Sequence, residues 1–346
     1  MEKVFGVLVV DDSAFMRKTI SSLIELSPNF SVIGKARNGI DAIEKIKRLK
    51  PDLITMDIEM PELDGLETLK VIMEDHPVPT VMLSNGSEST LEAFELGAVD
   101  FVVKESIIKP MSEVEMGDLF HRLQAAANAK LPNPSKKVIK VEERPKENPT
   151  KRYVPERKDL LFIGSSTGGP AALQAILTCF PEDFSVPIVV VQHMPPGFTK
   201  PLAERFNGLC NLLVKEAEHN EILIPGTVYI APAGLQTTIF RNTQDQYQIK
   251  LKVSAPIDTL YKPSVDVTLL SVAPFSRDKL LAVILTGMGD DGLRGCRLVK
   301  EKGGNVLAES EETCVVYGMP KVVYEAGLVD EQAPLYNMHD LIMTYI

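Results

Sequence analysis

A regular alternation of short apolar runs with helix-length segments in the first 130 residues most constrains the fold. Buried strands that alternate with helices are typical of a doubly wound parallel sheet, so we predict an α/β fold. In such sheets, ligands gather outside the carboxyl ends of the strands, and we therefore look there for polar residues. The apolar runs lie at 4–10, 30–36, 52–57, 80–84 and 99–103.

Polar residues stand where these predicted strands end. Asp11 and Asp12 follow the first strand, Asp57 ends the third, Ser84 the fourth and Lys104 the fifth. Any one aspartate at such a position is commonly a helix N-cap or a turn residue. Three carboxylates at one sheet edge repel one another unless a cation lies among them, and oxygen ligands suit Mg²⁺. We therefore predict a site where Asp57 accepts a phosphoryl group while the metal and Lys104 neutralise charge.

These residues belong to motifs that resemble the receiver domain of bacterial response regulators. The similarity implies a flavodoxin-like fold with a five-stranded parallel sheet, and a histidine kinase as phosphodonor. The motifs are Val9-Val10-Asp11-Asp12-Ser13, Ile54-Thr55-Met56-Asp57-Ile58-Glu59-Met60-Pro61, Asp64-Gly65, Ser84, Phe101 and Lys104.

The receiver resemblance also assigns individual roles. It implies that Asp12 and Asp57 bind Mg²⁺ together with the Glu59 carbonyl, beside Asp11, and that Asp57 is phosphorylated. Ser84 is implied to contact the phosphoryl group, and Phe101 to be the switch aromatic. The sequence departs from the family at one position, because Glu105 stands where a proline usually follows the lysine. This departure bears on the local loop geometry more than on the chemistry of the site.

A basic segment separates two acidic parts of the chain. Residues 131–158 contain five prolines and carry a net charge of +5, between net charges of −8 for 1–130 and −7 for 159–346. Few large apolar residues occur in this segment, so it predicts an extended linker. We accordingly predict domains at 1–130 and 159–346. The basic charge is either simply solvated or helps to hold the two acidic domains together.

The second part begins with a pattern typical of a catalytic serine. Gly164-Ser165-Ser166-Thr167-Gly168 follows an apolar run and precedes a helical pattern, and its core reads G-x-S-x-G. On such a strand-to-helix turn a serine is exposed beside free N–H groups, so Ser166 is a candidate nucleophile. A phosphate or dinucleotide cradle is the alternative, but the turn has neither G-x-G-x-x-G spacing nor a Walker lysine.

A serine nucleophile needs a base and an orienting carboxylate. Among the histidines of this half, His193 directly follows the apolar strand pattern 188–191, whereas His219 lies in a polar stretch and His339 lies near the C-terminus. The strand pattern 280–285 leads into a Gly-rich turn that contains two adjacent aspartates, and either could serve. A structural histidine and a surface turn are the alternatives. Three strand ends on one edge of a parallel sheet favour the triad.

These segments resemble the catalytic domain of chemotaxis protein-glutamate methylesterases. The similarity implies a doubly wound, mostly parallel sheet and assigns the carboxylate to Asp291, with Asp290 in a variable position. It also implies that the Met288 N–H is an oxyanion donor and that Thr167 holds the imidazole. The segments are 163–170, 191–195, 229–232, 263–266 and 285–292.

The two resemblances together imply a phosphorylation-activated serine hydrolase. Its substrates are implied to be glutamate methyl esters of chemoreceptors, with release of methanol, and also receptor glutamines. The unphosphorylated receiver domain is expected to cover the Ser166 cleft, and no cofactor is expected for the esterase. Two rival functions stay open: a non-catalytic binding module in the second part, and a hydrolase of small-molecule esters.

Composition narrows the remaining functional classes. The net charge of −10 argues against a nucleic-acid-binding surface. No apolar run reaches the ~18 residues of a membrane span, and the N-terminus lacks a signal-peptide pattern, so we expect a cytoplasmic protein without membrane insertion. The four cysteines lie far apart without C-x-x-C spacing, which predicts buried free thiols rather than zinc ligands or disulfides.

Overall fold

The computed structural model describes residues 3–86, 88–131 and 158–346. The predicted linker lies almost entirely outside these residues, so its expected role stays a prediction. We refer to residues 3–131 as the N-terminal block and to residues 158–346 as the C-terminal block. None of the helices in the described ranges is both long and apolar enough to cross a membrane.

The N-terminal block contains a parallel sheet of five strands. Each strand begins within one residue of a predicted apolar run and ends with it, which confirms the predicted α/β pattern. The spatial order is β2-β1-β3-β4-β5, and all neighbouring strands are parallel. The strands are β1 (Phe5–Val10), β2 (Phe30–Ala36), β3 (Leu53–Asp57), β4 (Thr80–Ser84) and β5 (Asp100–Val103).

Six helices accompany this sheet, and side-chain caps fix several of their first turns. Ser13, Asn38, Asp64 and Ser112 each accept a hydrogen bond from a backbone N–H in the first turn of the helix that follows. The helices are α1 (Ala14–Ile24), α2 (Gly39–Leu49), α3 (Gly65–Asp75), α4 (Glu88–Glu95), α5 (Lys104–Ile108) and α6 (Glu113–Ala127).

The C-terminal block contains a seven-stranded sheet in the order β14-β13-β12-β6-β7-β9-β8. A mostly parallel sheet is predicted, and every neighbouring pair is parallel. The strands are β6 (Leu160–Ser165), β7 (Ile188–Gln192), β8 (Leu213–Glu216), β9 (Thr227–Ile230), β12 (Leu280–Ile284), β13 (Asn305–Glu309) and β14 (Glu331–Ala333), and β10 (Gln236–Arg241) pairs with β11 (Tyr247–Lys252) in a separate antiparallel hairpin.

Strands β6, β7 and β12 form the middle of this sheet, and every residue in them is buried. This explains their continuous apolar sequences, because helices cover both faces. The cysteines only partly match the prediction, since Cys296 and Cys314 are buried, whereas Cys179 is exposed and Cys210 is half-buried. The helices are α7 (Gly169–Leu177), α8 (Thr199–Leu209), α9 (Val265–Ser276), α10 (Leu293–Glu301), α11 (Met319–Glu325) and α12 (Leu335–Met343).

The two blocks pack against each other through apolar and charged contacts. Phe101 of β5 lies against Phe198, which precedes α8, with ring centroids 4.6 Å apart. Glu95 at the end of α4 forms an ion pair with Arg205 of α8. The N-terminal block therefore meets the C-terminal block beside the carboxyl ends of β6 and β7.

Candidate active site

The predicted acidic site forms at the carboxyl edge of the N-terminal sheet. One carboxylate oxygen from each of Asp11, Asp12 and Asp57 lies within 4.8 Å of the other two. The Lys104 ammonium nitrogen lies 2.6 Å from Asp57 Oδ2 and 3.0 Å from Asp11 Oδ2. The Glu59 N–H donates to Asp57 Oδ1 at 3.4 Å. The strand ends thus bring together the residues that the sequence assigns to this site.

Burial and charge together set the protonation of this cluster. Burial raises the pKa of Asp57, with a further contribution from the negative charge of Asp11, and the hydrogen bond from Lys104 only partly offsets both. Burial lowers the pKa of Lys104, but its bonds to Asp57 and Asp11 outweigh that effect and raise it. The cluster therefore has one buried cation for three carboxylates. Such an oxygen-rich, electron-rich site fits a hard divalent cation.

The two predicted switch residues are engaged in other contacts. The Ser84 hydroxyl donates to the Gly86 carbonyl at 2.5 Å and contacts the Thr90 hydroxyl at 2.7 Å, so it faces the start of α4. Phe101 is buried between Phe94 and the facing Phe198. Both predicted switch residues therefore lie next to elements that contact the C-terminal block.

The residue after Lys104 lies inside a short helix. Lys104 is the first residue of α5, and Glu105 continues the helix. A proline after Lys104 would disfavour the helical conformation of the lysine, and Glu105 imposes no such restriction. Among the described residues, the cis peptide bond lies between Lys262 and Pro263, so the bond after Lys104 is trans.

The candidate nucleophile lies on a tight turn between β6 and α7. The Ser166 N–H donates to the Thr286 carbonyl at 3.0 Å, and the Ser166 carbonyl accepts from the Gly169 N–H at 2.8 Å. Gly168 has a φ of +79°, and a Cβ there would lie 2.6 Å from Val315 Cβ. This turn therefore requires glycine both for its backbone conformation and for its close packing.

His193 and Asp291 pair at the neighbouring strand ends. His193 directly follows β7, and its N–H donates to the Ser165 carbonyl at 3.1 Å. Its Nε2 lies 2.8 Å from Asp291 Oδ2. Asp291 is 6% exposed, whereas Asp290 is exposed to solvent, so the aspartate before glycine is the inward one.

Asp291 is held by a short turn that the sequence reasoning did not assign. Its Oδ1 accepts hydrogen bonds from the Ser264 hydroxyl at 2.8 Å and the Asp266 N–H at 2.9 Å, and Oδ2 accepts from the Val265 N–H at 2.7 Å. Burial alone would raise the pKa of Asp291, but the hydrogen bond and charge of His193 and these further donors outweigh burial and lower it. Asp291 is therefore an anion fixed by four donors.

The second imidazole nitrogen of His193, Nδ1, is the one that does not contact Asp291. In the neutral imidazole whose Nε2–H donates to Asp291, Nδ1 carries the lone pair. Nδ1 is buried and has no hydrogen-bond partner within the described ranges. The Thr167 hydroxyl, predicted to hold the imidazole, donates instead to Asp100 of the N-terminal block at 3.4 Å. In this arrangement of the two blocks, the Thr167 hydroxyl is bound to Asp100 and makes no hydrogen bond to the His193 imidazole.

The loop after β12 packs directly on the serine turn. A Cβ on Gly287 would lie 2.8 Å from Ser166 Cβ, so glycine is required for this approach. The Thr286 N–H donates to the buried Glu309 at 2.8 Å, and the Thr286 hydroxyl donates to the Thr167 carbonyl at 3.0 Å. Met288 follows on this loop and lines the same cavity as Ser166. The predicted oxyanion donor is therefore on a loop that two hydrogen bonds anchor.

Ser166, Thr167, His193 and Met288 line a cavity of about 340 Å³. The other two histidines of the C-terminal block lie away from this cavity. His219 accepts a hydrogen bond from the Leu251 N–H, and His339 packs on Phe180. The opposite wall of the cavity comes from the N-terminal block. Its residues are Phe94, Asp100, Phe101, Asp118 and Arg122.

Charged side chains of the N-terminal wall form a compact group. Arg122 donates to both Asp100 carboxylate oxygens, at 3.0 and 2.8 Å, and to the Phe101 carbonyl at 2.6 Å. Burial raises the pKa of the neighbouring Asp118, whose Oδ1 has no partner in the described part of the chain. The candidate catalytic residues therefore face a charged wall instead of open solvent.

Several residues that shape the site are not predicted from the sequence. Gln192 bonds the Ser165 hydroxyl and the Ser166 carbonyl, and Glu309 holds the loop of Met288. Gln192 could have been predicted to lie in the site, because it directly precedes His193 in the sequence. No local pattern marks Glu309, which ends a buried strand.

Comparisons with known proteins identify the families that the two blocks match. Residues 161–342 match the protein family described as CheB methylesterase, and residues 7–114 match the response regulator receiver domain. A protein-glutamate methylesterase/protein-glutamine glutaminase of Halalkalibacterium halodurans is 46% identical, over 99% of both chains. The protein of the same name from Archaeoglobus fulgidus is 42% identical, over 98% of this chain and 97% of its own.

A solved structure is similar to the C-terminal block. The crystal structure of the Thermotoga maritima CheB methylesterase catalytic domain aligns with a TM-score of 0.53 and 46% sequence identity. The alignment covers 55% of this chain and 99% of that one. The similarity to curated proteins thus extends over the whole chain, and that to this structure over its second half.

Proposed function

The chain belongs to the CheB methylesterase family with a response regulator receiver domain, and we propose on this premise that it hydrolyses glutamate γ-methyl esters of chemoreceptors. The names of its relatives also support hydrolysis of receptor glutamines to glutamate. The observation that carries the proposal is the buried pair of His193 and Asp291 in one cavity with Ser166.

The proposed reaction proceeds through an acyl-enzyme. The Ser166 hydroxyl attacks the ester carbonyl while Nδ1 of His193 takes its proton, and the same proton leaves with methanol. Water then attacks the acyl group with His193 again acting as base, which returns Ser166 and a glutamate carboxylate. A glutamine side chain follows the same route and releases ammonia. The free lone pair on Nδ1 supports this role for His193.

Asp291 and Met288 have supporting roles in this scheme. The Asp291 anion keeps the proton on Nε2 and stabilises the imidazolium that forms when Nδ1 is protonated. The Met288 N–H is the proposed oxyanion donor, and donors of this type are worth about 2.7–4 kcal/mol each. The anchored loop that contains Met288 supports that assignment.

We propose that the N-terminal block is phosphorylated at Asp57 by a histidine kinase. Asp12 and Asp57 would hold Mg²⁺ with the Glu59 carbonyl, beside Asp11, and the close grouping of the three carboxylates supports this. The ion would supply positive charge to the phosphoryl oxygens. Lys104 lies in contact with Asp57 and neutralises part of the same charge.

Phosphorylation is proposed to open the cleft. In the arrangement described above, Asp100, Arg122 and Phe101 close one side of the cavity, which supports inhibition by the unphosphorylated receiver domain. In this proposal Ser84 exchanges its contacts with Gly86 and Thr90 for a contact with the phosphoryl group on Asp57. Because Thr90 lies on α4, that movement affects the helix whose last residue, Glu95, binds Arg205 of the C-terminal block.

The remaining assignments follow from the same proposal. The domains are proposed to be 1–130 for the receiver domain and 159–346 for the esterase, joined by a linker at 131–158. We propose a cytoplasmic location, since both the kinase and the methylated receptor segments have to be reached. No cofactor is needed for the serine chemistry.

The proposal is tested by methanol release from methylated chemoreceptor membranes. We expect release by the full chain, with an increase on addition of a small-molecule phosphodonor and Mg²⁺. Replacing Ser166 by alanine should lower release by about 10⁴-fold or more, because the residual activity of a triad without its nucleophile is small.

Asp57→Asn is the matched control for regulation. It should keep basal release and lose the response to the phosphodonor. Release that survives in Ser166→Ala would exclude the assigned nucleophile. A wild-type chain that cleaves small esters but leaves methylated receptors intact would favour the rival substrate class.

A further inference from the structure

A tyrosine lies flat against the imidazole of His193. The Tyr261 and His193 rings are stacked with centroids 3.9 Å apart and an interplanar angle of 6°. The His193 side chain is 6% exposed, and Tyr261 lines the same cavity as Ser166. One face of the imidazole is therefore covered by an aromatic ring.

The backbone of Tyr261 is tied to the support of Asp291. The fully buried Gln236 donates from Nε2 to the Tyr261 carbonyl at 2.7 Å, and its Oε1 accepts from the Ser264 N–H at 3.0 Å. Ser264 in turn donates to Asp291. One buried amide thus fixes both the stacked ring and the turn that holds the carboxylate.

The stack supplies a restraint that the Asp291 bond lacks. A single hydrogen bond at Nε2 allows the imidazole to rotate about that bond, and Nδ1 has no partner among the described residues. A parallel ring at van der Waals distance resists this rotation. The π face of an aromatic ring also attracts a cation more strongly than a neutral group.

We propose that Tyr261 is a positioning residue of the esterase, which fixes the plane of His193 and stabilises its imidazolium form. Tyr261 acts through His193 and makes no bond to the reacting ester. This inference rests on the proposed function. Charged groups near the pair are Asp290 and Asp291 after β12, Asp118 and Arg122 of α6, Asp100 of β5, and Lys262.

The test compares ring-retaining and ring-removing variants of the full chain at saturating phosphodonor. Tyr261→Leu and Tyr261→Met remove the π face, whereas Tyr261→Phe keeps it. We expect kcat to fall about tenfold in Tyr261→Leu and Tyr261→Met, equivalent to about 1.4 kcal/mol, with KM changed less than about twofold. Tyr261→Phe should stay within about twofold of the wild type, because its ring is retained.

The pH profile separates this role from simple packing. Because the ring stabilises the protonated imidazole, its removal should move the ascending limb of kcat/KM for methanol release to lower pH. Tyr261→Phe should leave that limb in place. The charges of Asp118 and Arg122 in the N-terminal wall also act on Tyr261. The assay therefore uses saturating phosphodonor, so that the proposed opening of the cleft removes this wall in every variant.

A second readout is independent of the substrate. The rate at which an organophosphonate probe labels Ser166 should show the same fall and the same pH shift in Tyr261→Leu and Tyr261→Met. The inference would be overturned if Tyr261→Leu and Tyr261→Met kept the wild-type pH profile and labelling rate. It would also be overturned if Tyr261→Phe lost as much activity as those two variants. A wild-type chain that is labelled but releases no methanol would refute the proposed substrate, while the labelling data would still decide the role of Tyr261.

Discussion

The ion pair between Glu95 and Arg205 offers a direct test of inhibition by the N-terminal block. Two guanidinium nitrogens contact the two Glu95 oxygens, one of them at 3.1 Å. The side chains are 35% and 32% exposed, so solvent screens the pair, and its paired geometry places it near the upper end of surface values, about 1 kcal/mol. Glu95→Gln should therefore weaken the closed arrangement by about fivefold.

Basal methanol release reports this weakening. We expect release without phosphodonor to rise about fivefold in Glu95→Gln if the closed form dominates, because a loss of about 1 kcal/mol changes the equilibrium by that factor. Glu95→Arg adds repulsion and should increase it further. The double variant Glu95→Arg with Arg205→Glu restores a pair of opposite charges, so its basal release should return toward the wild-type rate. Activity at saturating phosphodonor should stay unchanged, because the closed form is then sparsely populated.

Glu92, which is exposed on the same helix, provides the matched control. Glu92→Gln changes the net charge equally and should leave basal release unaltered. The reasoning fails if Glu95→Gln behaves like Glu92→Gln, or if Glu95→Gln raises activity equally with and without phosphodonor. Either result would mean that the contact between the blocks does not restrain the esterase.

Two further predictions concern the turn that holds Asp291. Ser264→Ala removes a hydrogen bond to a buried anion, so kcat/KM for methanol release should fall about tenfold; an unchanged value would show that the backbone donors suffice. Burial raises the pKa of Asp266 to about 6, so the folded chain binds this proton more tightly than the unfolded chain, and stability should rise as pH falls from 7 through 6. In Asp266→Asn the thermal unfolding midpoint should gain less between pH 7 and pH 5 than in the wild type, and an equal gain would contradict the assignment.

The sequence predicts those features that depend on local pattern. Apolar runs in the first part of the chain locate β1 to β5 to within a residue. Four of these strands are buried almost throughout, whereas β2 at the sheet edge is partly exposed. The placement of the site residues follows from the ends of parallel strands. Asp57 ends β3 of the N-terminal sheet, and Ser166 and His193 directly follow the neighbouring strands β6 and β7 of the C-terminal sheet.

The features that escaped prediction depend on contacts between distant segments. The Tyr261 ring stacked on His193 and the Ser264 hydrogen bond to Asp291 join segments that are far apart in the chain, and neither contact has a periodic signature. The bond from Thr167 to Asp100 joins two blocks whose mutual packing no sequence pattern encodes. Asp290 and Asp291 are adjacent in one Gly-rich turn, so the local sequence does not show which of them points inward. The assignment to Asp291 therefore came from the resemblance to the family.

The shared wall of the catalytic cavity has a thermodynamic consequence for signalling. If phosphorylation at Asp57 opens the cleft by some factor, linkage requires that a ligand bound in the open cleft stabilises the phosphorylated form by the same factor. A methylated receptor segment in the cleft would then oppose closure by Asp100 and Arg122. A bound substrate is in this sense coupled to the signal, because it favours the same open arrangement that phosphorylation would favour.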